Sequence, residues 1–329
     1  MGPYVRVVLS TFLLFSFAST VLAEQAFDAA LSGFTVGGCG FLSFRVFGPV
    51  LWLSPDRFRG DQDVEVDAIA SADGRRVLAL IRLDTAATRI MELGADGSHR
   101  LFFDGLPGYG SGAIAVANTG RVFVSAYDSS GSSRIAAISP SGVLEGTHLW
   151  PRGAGSEIAV GNDGCTVLFA KGGGIGRINA CTGAPLTDFI ATSEIVYDIQ
   201  SLKDGSVLLA LGDSVELYDA SGAFVRRVAK VSEYGLRGYY PQEVAVSSDG
   251  QVLWIAAMEG CFISGGELLR VSMIDGTELS RRYVWPFNNV TGLVVGAPGL
   301  ASIPTLRSFV LSLLALALAV AGTLSITLR

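Results

Sequence analysis

The 329-residue sequence predicts an all-β fold of repeated four-stranded units, on three observations. Five turns ending at Gly74, Gly120, Gly164, Gly205 and Gly250 recur at intervals of 46, 44, 41 and 45 residues. A second series, Asp96-Gly97, Ser141-Gly142, Thr182-Gly183, Ser221-Gly222 and Asp275-Gly276, keeps step with the first. Short apolar runs fill the spaces, and such runs bounded by Asp-Gly or Gly-rich pairs signal hairpins. Four strands joined by hairpins make one blade, and a period of forty-odd residues makes a β-propeller.

Composition suits that architecture. Half the residues are hydrophobic, ample for a sizeable core, and the 41 glycines match a chain made of tight turns. Only 16% of residues are charged, with 24 basic against 30 acidic. Removing Arg6, Arg307 and Arg329 with the two chain ends leaves 24 less 3, or 21, against 30. An acidic body of this kind argues against nucleic acid and anionic membrane surfaces as partners.

Taken in order, the chain opens with Arg6, an apolar run from Val7 to Leu22, and the ending Val21-Leu22-Ala23. Small or aliphatic residues at these places fit cleavage by signal peptidase before Glu24, so residues 1–23 read as a signal peptide. An uncleaved anchor is the alternative. Either way the body is exported, where disulfides are permitted.

Residues 24–300 form the propeller. Its first fragment offers Phe34-Thr35-Val36, Phe41 to Phe47, a Gly48-Pro49 turn, and Val50 to Leu53. Five sequential blades follow. The third shows the pattern most clearly: Ile158 and Val160 lead into Asp163-Gly164, Thr166 to Ala170 follows, and glycines 172–174 turn the chain into Arg177-Ile178. Arg89-Ile90, Arg134-Ile135, Glu216-Leu217 and Arg270-Val271 hold the same place in the other four. Strand, Gly turn, strand, then Arg-Ile and a second Gly turn resembles NHL- and TolB-like six-bladed propeller repeats over most of Val64 to Pro286. That resemblance specifies fold much better than function, because such propellers host both enzymes and binding modules. Val290 to Val295 supplies one more innermost strand, which with the three N-terminal strands completes a composite sixth blade. Closure of this kind leaves no exposed edge between the first and last blades.

Residues 301–329 form a tail. Phe309 to Leu328 is a nearly unbroken apolar run, long enough at ~1.5 Å per residue to cross a ~30 Å hydrocarbon core as a transmembrane helix. Before it stand Ile303, Pro304, Thr305 and Leu306, and Arg329 closes the chain. That order resembles the IPTL-type C-terminal sorting signal of Gram-negative bacteria, over residues 303–329. The resemblance implies export, recognition by an exosortase-like membrane enzyme, and removal of the tail to leave the protein at the cell surface or in the extracellular matrix. A single terminal arginine stands where the family usually has a cluster. A plain anchor without processing would have the same hydropathy.

Two pairs of cysteines stand out. Cys165 and Cys181 lie symmetrically about Gly173, so antiparallel pairing on that centre sets them opposite and within reach of a disulfide. Cys39, in the composite blade, and Cys261, in the neighbouring fifth blade, could form a second bridge, although connectivity is not fixed by sequence. Zinc is disfavoured: there is no CxxC pair, and His99 and His148 are the only histidines.

Catalytic motifs are absent. There is no GxSxG and no HExxH, and the glycines at 172–174 lack the helix and Lys-Ser/Thr of a phosphate loop. One constellation remains. Seven residues before each first-turn glycine stand Asp67, Ala113, Glu157, Asp198 and Glu243, where each innermost strand begins. Four acids would thus gather at one mouth of the central channel, either as a solvated rim or as a site that raises carboxylate pKa values and attracts a cation such as calcium. The expected function is an exported envelope or extracellular binding module whose ligand is a glycan, protein or small molecule. The runner-up is a metal-dependent hydrolase or lyase. Sugar-lactone hydrolases on six-bladed propellers resemble this arrangement in gathering acidic and amide ligands at such a mouth, although their fuller motifs are absent here.

Overall fold

The computed structural model describes residues 29–34, 42–47, 52–53, 64–71, 76–83, 87–93, 99–105, 109–128, 133–149, 154–259, 266–284 and 289–295. The segments 1–23 and 301–329, with Ile303 to Leu306, and also Cys39 and Cys261, lie outside the described residues. Among the described residues no helix is long and apolar enough to cross a membrane. The chain is an all-β propeller.

Three strands come first: β1 (Ala29–Phe34), β2 (Leu42–Phe47) and β3 (Trp52–Leu53). Blade one is β4 (Val64–Ala70), β5 (Val77–Leu83), β6 (Ala87–Leu93) and β7 (His99–Phe103). Blade two is β8 (Tyr109–Val116), β9 (Val122–Asp128), β10 (Ser133–Ile138) and β11 (Leu144–Leu149). Blade three is β12 (Ala154–Val160), β13 (Thr166–Lys171), β14 (Gly174–Asn179) and β15 (Ala184–Ala191). Blade four is β16 (Val196–Ser201), β17 (Val207–Leu211), β18 (Ser214–Tyr218) and β19 (Phe224–Lys230). Blade five is β20 (Tyr239–Val246), β21 (Val252–Glu259), β22 (Gly266–Ser272) and β23 (Glu278–Val284).

Five complete blades of consecutive antiparallel strands are therefore present, and not six equivalent ones. The remaining sheet has the order β24-β1-β2-β3, with β24 being Asn289–Val295. Its outer strand β3 is only two residues long. The first N-terminal strand also falls earlier than the expected Phe34-Thr35-Val36. Ala29–Phe34 pairs with Phe47–Leu42, and Thr35 and Val36 lie outside the described residues. β24 lies beside both β20 and β4.

Period-two alternation explains why the blades stack. In β17, Leu208 and Ala210 pack toward blade five, whereas Val207, Leu209 and Leu211 pack toward blade three. In β13, Val167 and Phe169 meet blade two while Leu168 and Ala170 meet blade four. Both faces are covered, which is why β17 reads as the unbroken apolar run VLLAL. Each fully buried Leu or Phe contributes ~1.5–3 kcal/mol of transfer free energy.

The turn glycines have distinct reasons. Gly120, Gly164, Gly205 and Gly250 take φ of 82°, 67°, 87° and 73°, the left-handed conformation that ends a type I turn in a tight hairpin. The second-turn glycines carry an added constraint from the preceding blade. A Cβ on Gly142 would lie 2.1 Å from the carbonyl oxygen of Phe102, and one on Gly222 would lie 2.3 Å from that of Phe189. The repeated arginines serve differently: Arg177 donates to the Thr187 carbonyl at 2.9 Å, tying the third strand to the fourth, whereas Arg270 lies over the Trp254 ring of the second strand.

Cys165 and Cys181 are disulfide-bonded, with Cα atoms 5.3 Å apart. Their register differs from the symmetric expectation. Lys171 pairs with Gly174 and Thr166 with Asn179, which centres the hairpin between Gly172 and Gly173. Cys165 therefore opposes Ala180, whose N–H it accepts at 2.8 Å, and Cys181 reaches back from the turn that follows β14. Arg121 of blade two covers the bridge, its guanidinium 3.0 Å from Cys181 Sγ, and pairs with Glu145 at 2.7 Å.

Candidate functional site

The innermost strands β4, β8, β12, β16, β20 and β24 stand side by side around a central cavity of about 1200 Å³. Each inner strand of the five blades carries a break in register at the same depth. The breaks fall at Val66/Ala68, Ser111/Ile114, Ala154/Ile158, Val196/Asp198 and Pro241/Glu243. A bulge adds an unpaired residue and re-aims its neighbours, so the in-phase acids sit where each strand twists away from its partner. Asp67 occupies the β4 bulge, and its side chain lies outside the described residues. Ala113 breaks the acidic pattern in blade two, where its N–H donates instead to the fully buried Ser125 Oγ at 2.7 Å.

Asp198 is built into the scaffold. Its Oδ1 accepts the Ile199 N–H at 2.6 Å, and its Oδ2 accepts the Val244 N–H of the next blade at 2.7 Å. One carboxylate thus closes the bulge of β16 and staples it to β20. Burial nevertheless pushes its pKa up to about 6, against the lowering effect of those two N–H donors.

Glu243 is different. It is 8% exposed, lines the cavity, and makes no hydrogen bond among the described residues. Burial holds its carboxyl well above the usual range, and the Asp198 and Glu157 carboxylates raise it further. Glu157 is half-buried and also lines the cavity. The structure thus brings Glu157, Asp198 and Glu243 into electrostatic contact. Among the described residues no group of three or more His, Cys, Asp or Glu side chains is arranged to hold a metal ion.

The opposite mouth carries a feature that the sequence reading missed. Asn162 Nδ2 donates to the Lys203 carbonyl at 2.6 Å, and Lys203 Nζ donates to the Ser248 carbonyl at 2.7 Å. All three residues stand two places before a first-turn glycine. The signal that found the acids would have found this turn-to-turn chain, had the polar residues beside the turns been aligned too. Tyr197 and Tyr240, stacked with ring centroids 4.6 Å apart, also join blades four and five near the acids. His148 is a packing residue: a Cβ on Gly183 would lie 2.5 Å from its Nδ1.

Chemically, the acid end offers a carboxyl in a confined space that can bind a cation or transfer a proton. Raised carboxyl pKa values in clefts accompany both roles.

No family model matches the chain, and no curated protein matches it. Solved structures do. The chain is similar to a protein of unknown function from Bacteroides caccae, with 15% identity and a TM-score of 0.59, covering 81% of this chain and 98% of that one. It also aligns with the WD40 β-propeller domain of Doa1 at 13% identity and TM-score 0.45, covering 80% and 74% of the two chains. Streptogramin B lyase aligns at 17% identity and TM-score 0.46, covering 69% and 74%. The first of these likenesses is one of fold alone, and none of them bears on the ligand.

Proposed function

We propose that this chain is an exported propeller binding module that takes its ligand in the central channel. The observation that carries the reading is the cavity itself, because inner strands of successive blades deliver polar side chains into one space large enough for a small molecule or a glycan unit. The sheet of β24 and β1–β3 acts as a sixth blade that closes the ring, as NHL- and TolB-like repeats would have it. A Cys39–Cys261 bridge would fasten that sheet to blade five. The order of Ile303 to Leu306, the apolar run over residues 309–328 and Arg329 supports delivery by an IPTL-type sorting signal after signal-peptidase cleavage. Intact mass of the mature protein from its native host should lack residues 309–329, whereas a heterologous host should retain them in the membrane. A full tail in the native mature protein leaves the plain-anchor reading.

The second reading, a calcium-dependent lactone hydrolase, is favoured by the raised carboxyl pKa values at the mouth. It would require Asp67, Glu157, Asp198 and Glu243 to share one ion, and calcium wants six to eight oxygens. Asp198 is poorly placed for this, since each of its oxygens already holds a backbone N–H and the carboxylate is fixed between two blades. Millimolar calcium is therefore expected to shift the unfolding temperature by less than about 1 °C, with no lactone or ester turnover. A shift of several degrees with turnover, both lost in Glu157→Gln/Glu243→Gln, would promote the hydrolase over the binding module.

A further inference from the structure

The acid end of the channel has a ligand preference written into its hydrogen bonds. Asp198 has spent both carboxylate oxygens on the Ile199 and Val244 N–H groups. Glu243 has spent none, although 92% of it is buried and it faces the cavity. A buried polar group without a partner costs free energy, and the cost is highest for an ionised carboxylate. Neither Asp198 nor Glu243 forms an ion pair among the described residues. The basic side chains along the cavity wall, Arg76 and Lys203, follow or flank the first turns at the other mouth, and Lys203 is anchored there on the Ser248 carbonyl. Among the described residues the charged groups acting on Glu243 are Asp198 from β16 and Glu157 from β12, both acidic. A ligand that meets Glu243 in the cavity would suit it best as a donor compact enough to enter the ring, and positive charge would be favoured.

We infer that the acid end of the channel binds an organic ammonium group, held by Glu243 with Glu157 beside it. The inference rests on the channel-binding reading above and narrows it to one ligand class. An alkylammonium brings up to three N–H donors and one charge, which the Glu243 carboxyl can receive, with the Glu157 charge beside it, without the multi-carboxylate shell that a divalent ion demands. The apolar stretch of the wall, including Ala245 and Leu293, suits the carbon chain of such a ligand. In the empty channel burial and the neighbouring acids favour the protonated form of Glu243; when the ammonium binds, the carboxyl O–H ionises and that proton passes to solvent. The ligand stays protonated throughout, so binding exchanges one positive charge for another at the same carboxyl.

The test uses three probes on one four-carbon skeleton: putrescine as the dication, 1,4-butanediol as the neutral control and succinate as the dianion. Each is titrated calorimetrically into the propeller at pH 6 in two buffers of different ionisation enthalpy, with chelator present. Putrescine should bind saturably and release close to one proton per site, and raising the pH to 7.5 should tighten its affinity severalfold. Glu243→Gln should weaken it at least tenfold and abolish the proton release. Glu157→Gln should weaken it less and leave the release in place. Thermal unfolding of each variant verifies that the fold persists. Saturable binding of butanediol or succinate that Glu243→Gln leaves intact would overturn the ammonium inference while sparing the channel as a binding site. Saturation by none of the three would overturn both.

Discussion

Replacing Leu293 by aspartate is expected to destabilise the propeller by about 3–5 kcal/mol, and deleting residues 289–295 is expected to abolish cooperative unfolding. Leu293 is 7% exposed and packs with Ala245, Trp254, Ala256, Met258 and Leu268 of blade five. A carboxylate there would face an apolar cluster with no donor to receive it. Deletion would do more. β24 is the strand through which β1 joins its sheet to the ring, and it lies beside both β20 and β4. Without it the β1 edge and the outer face of blade five would both be bare, a combination that invites edge-to-edge aggregation. Urea unfolding followed by Trp254 fluorescence and by circular dichroism would read both effects. Unchanged midpoints would make residues 289–295 a linker.

Much of this architecture could be read from the sequence because its punctuation is physical. Gly120, Gly164, Gly205 and Gly250 need positive φ, so their spacing marked the inner hairpins directly. The second-turn glycines were equally visible, but their reason was not. Only the structure shows that Gly142 and Gly222 lie against carbonyl oxygens of the preceding blade. Cysteine pairing was legible and its register was not, because a two-residue loop at Gly172-Gly173 moves the hairpin centre by half a residue. The start of the first N-terminal strand was not legible either. Ala29–Phe34 reads as AALSGF, with weak β-propensity, and only its pairing with β2 and β24 selects it.

The acids were located by phase, and phase said nothing of their roles. Glu157, Asp198 and Glu243 look alike in sequence. Hydrogen bonding separates them: Asp198 is a staple between blades four and five, whereas Glu243 makes no hydrogen bond among the described residues. The bulges that present them could not be read, since a bulge is a property of strand pairing and needs no special residue when its extra position is Asp67, Tyr197 or Gln242.

The pH dependence of stability tests most directly whether Asp198 and Glu243 are buried together at the channel mouth with Glu243 unpaired among the described residues. Asp198 and Glu243 both lie above their unfolded pKa values, so the native state binds protons more tightly than the unfolded chain. Their contribution is present at low pH and is lost as pH rises through the folded values, from about 4 upward through about 6 for Asp198 and in the same upward direction for Glu243. Asp198 alone, moved from 3.8 to about 6, corresponds to up to about 3 kcal/mol over that window. The turn carboxylates act in the opposite sense. Asp204, Asp219 and Asp249 are held low by Ser206, Ser221 and Ser247 hydroxyls, so the stability they add is lost as pH falls below about 4. The melting temperature should therefore rise as pH is lowered from 8 to about 5 and fall again below about 4. In Glu243→Gln the upper limb should flatten, and the variant should be the more stable protein at pH 8. A wild-type melting temperature that falls steadily from pH 8 to 5, with Glu243→Gln parallel to it, would contradict a buried, unpaired Glu243 at the channel mouth.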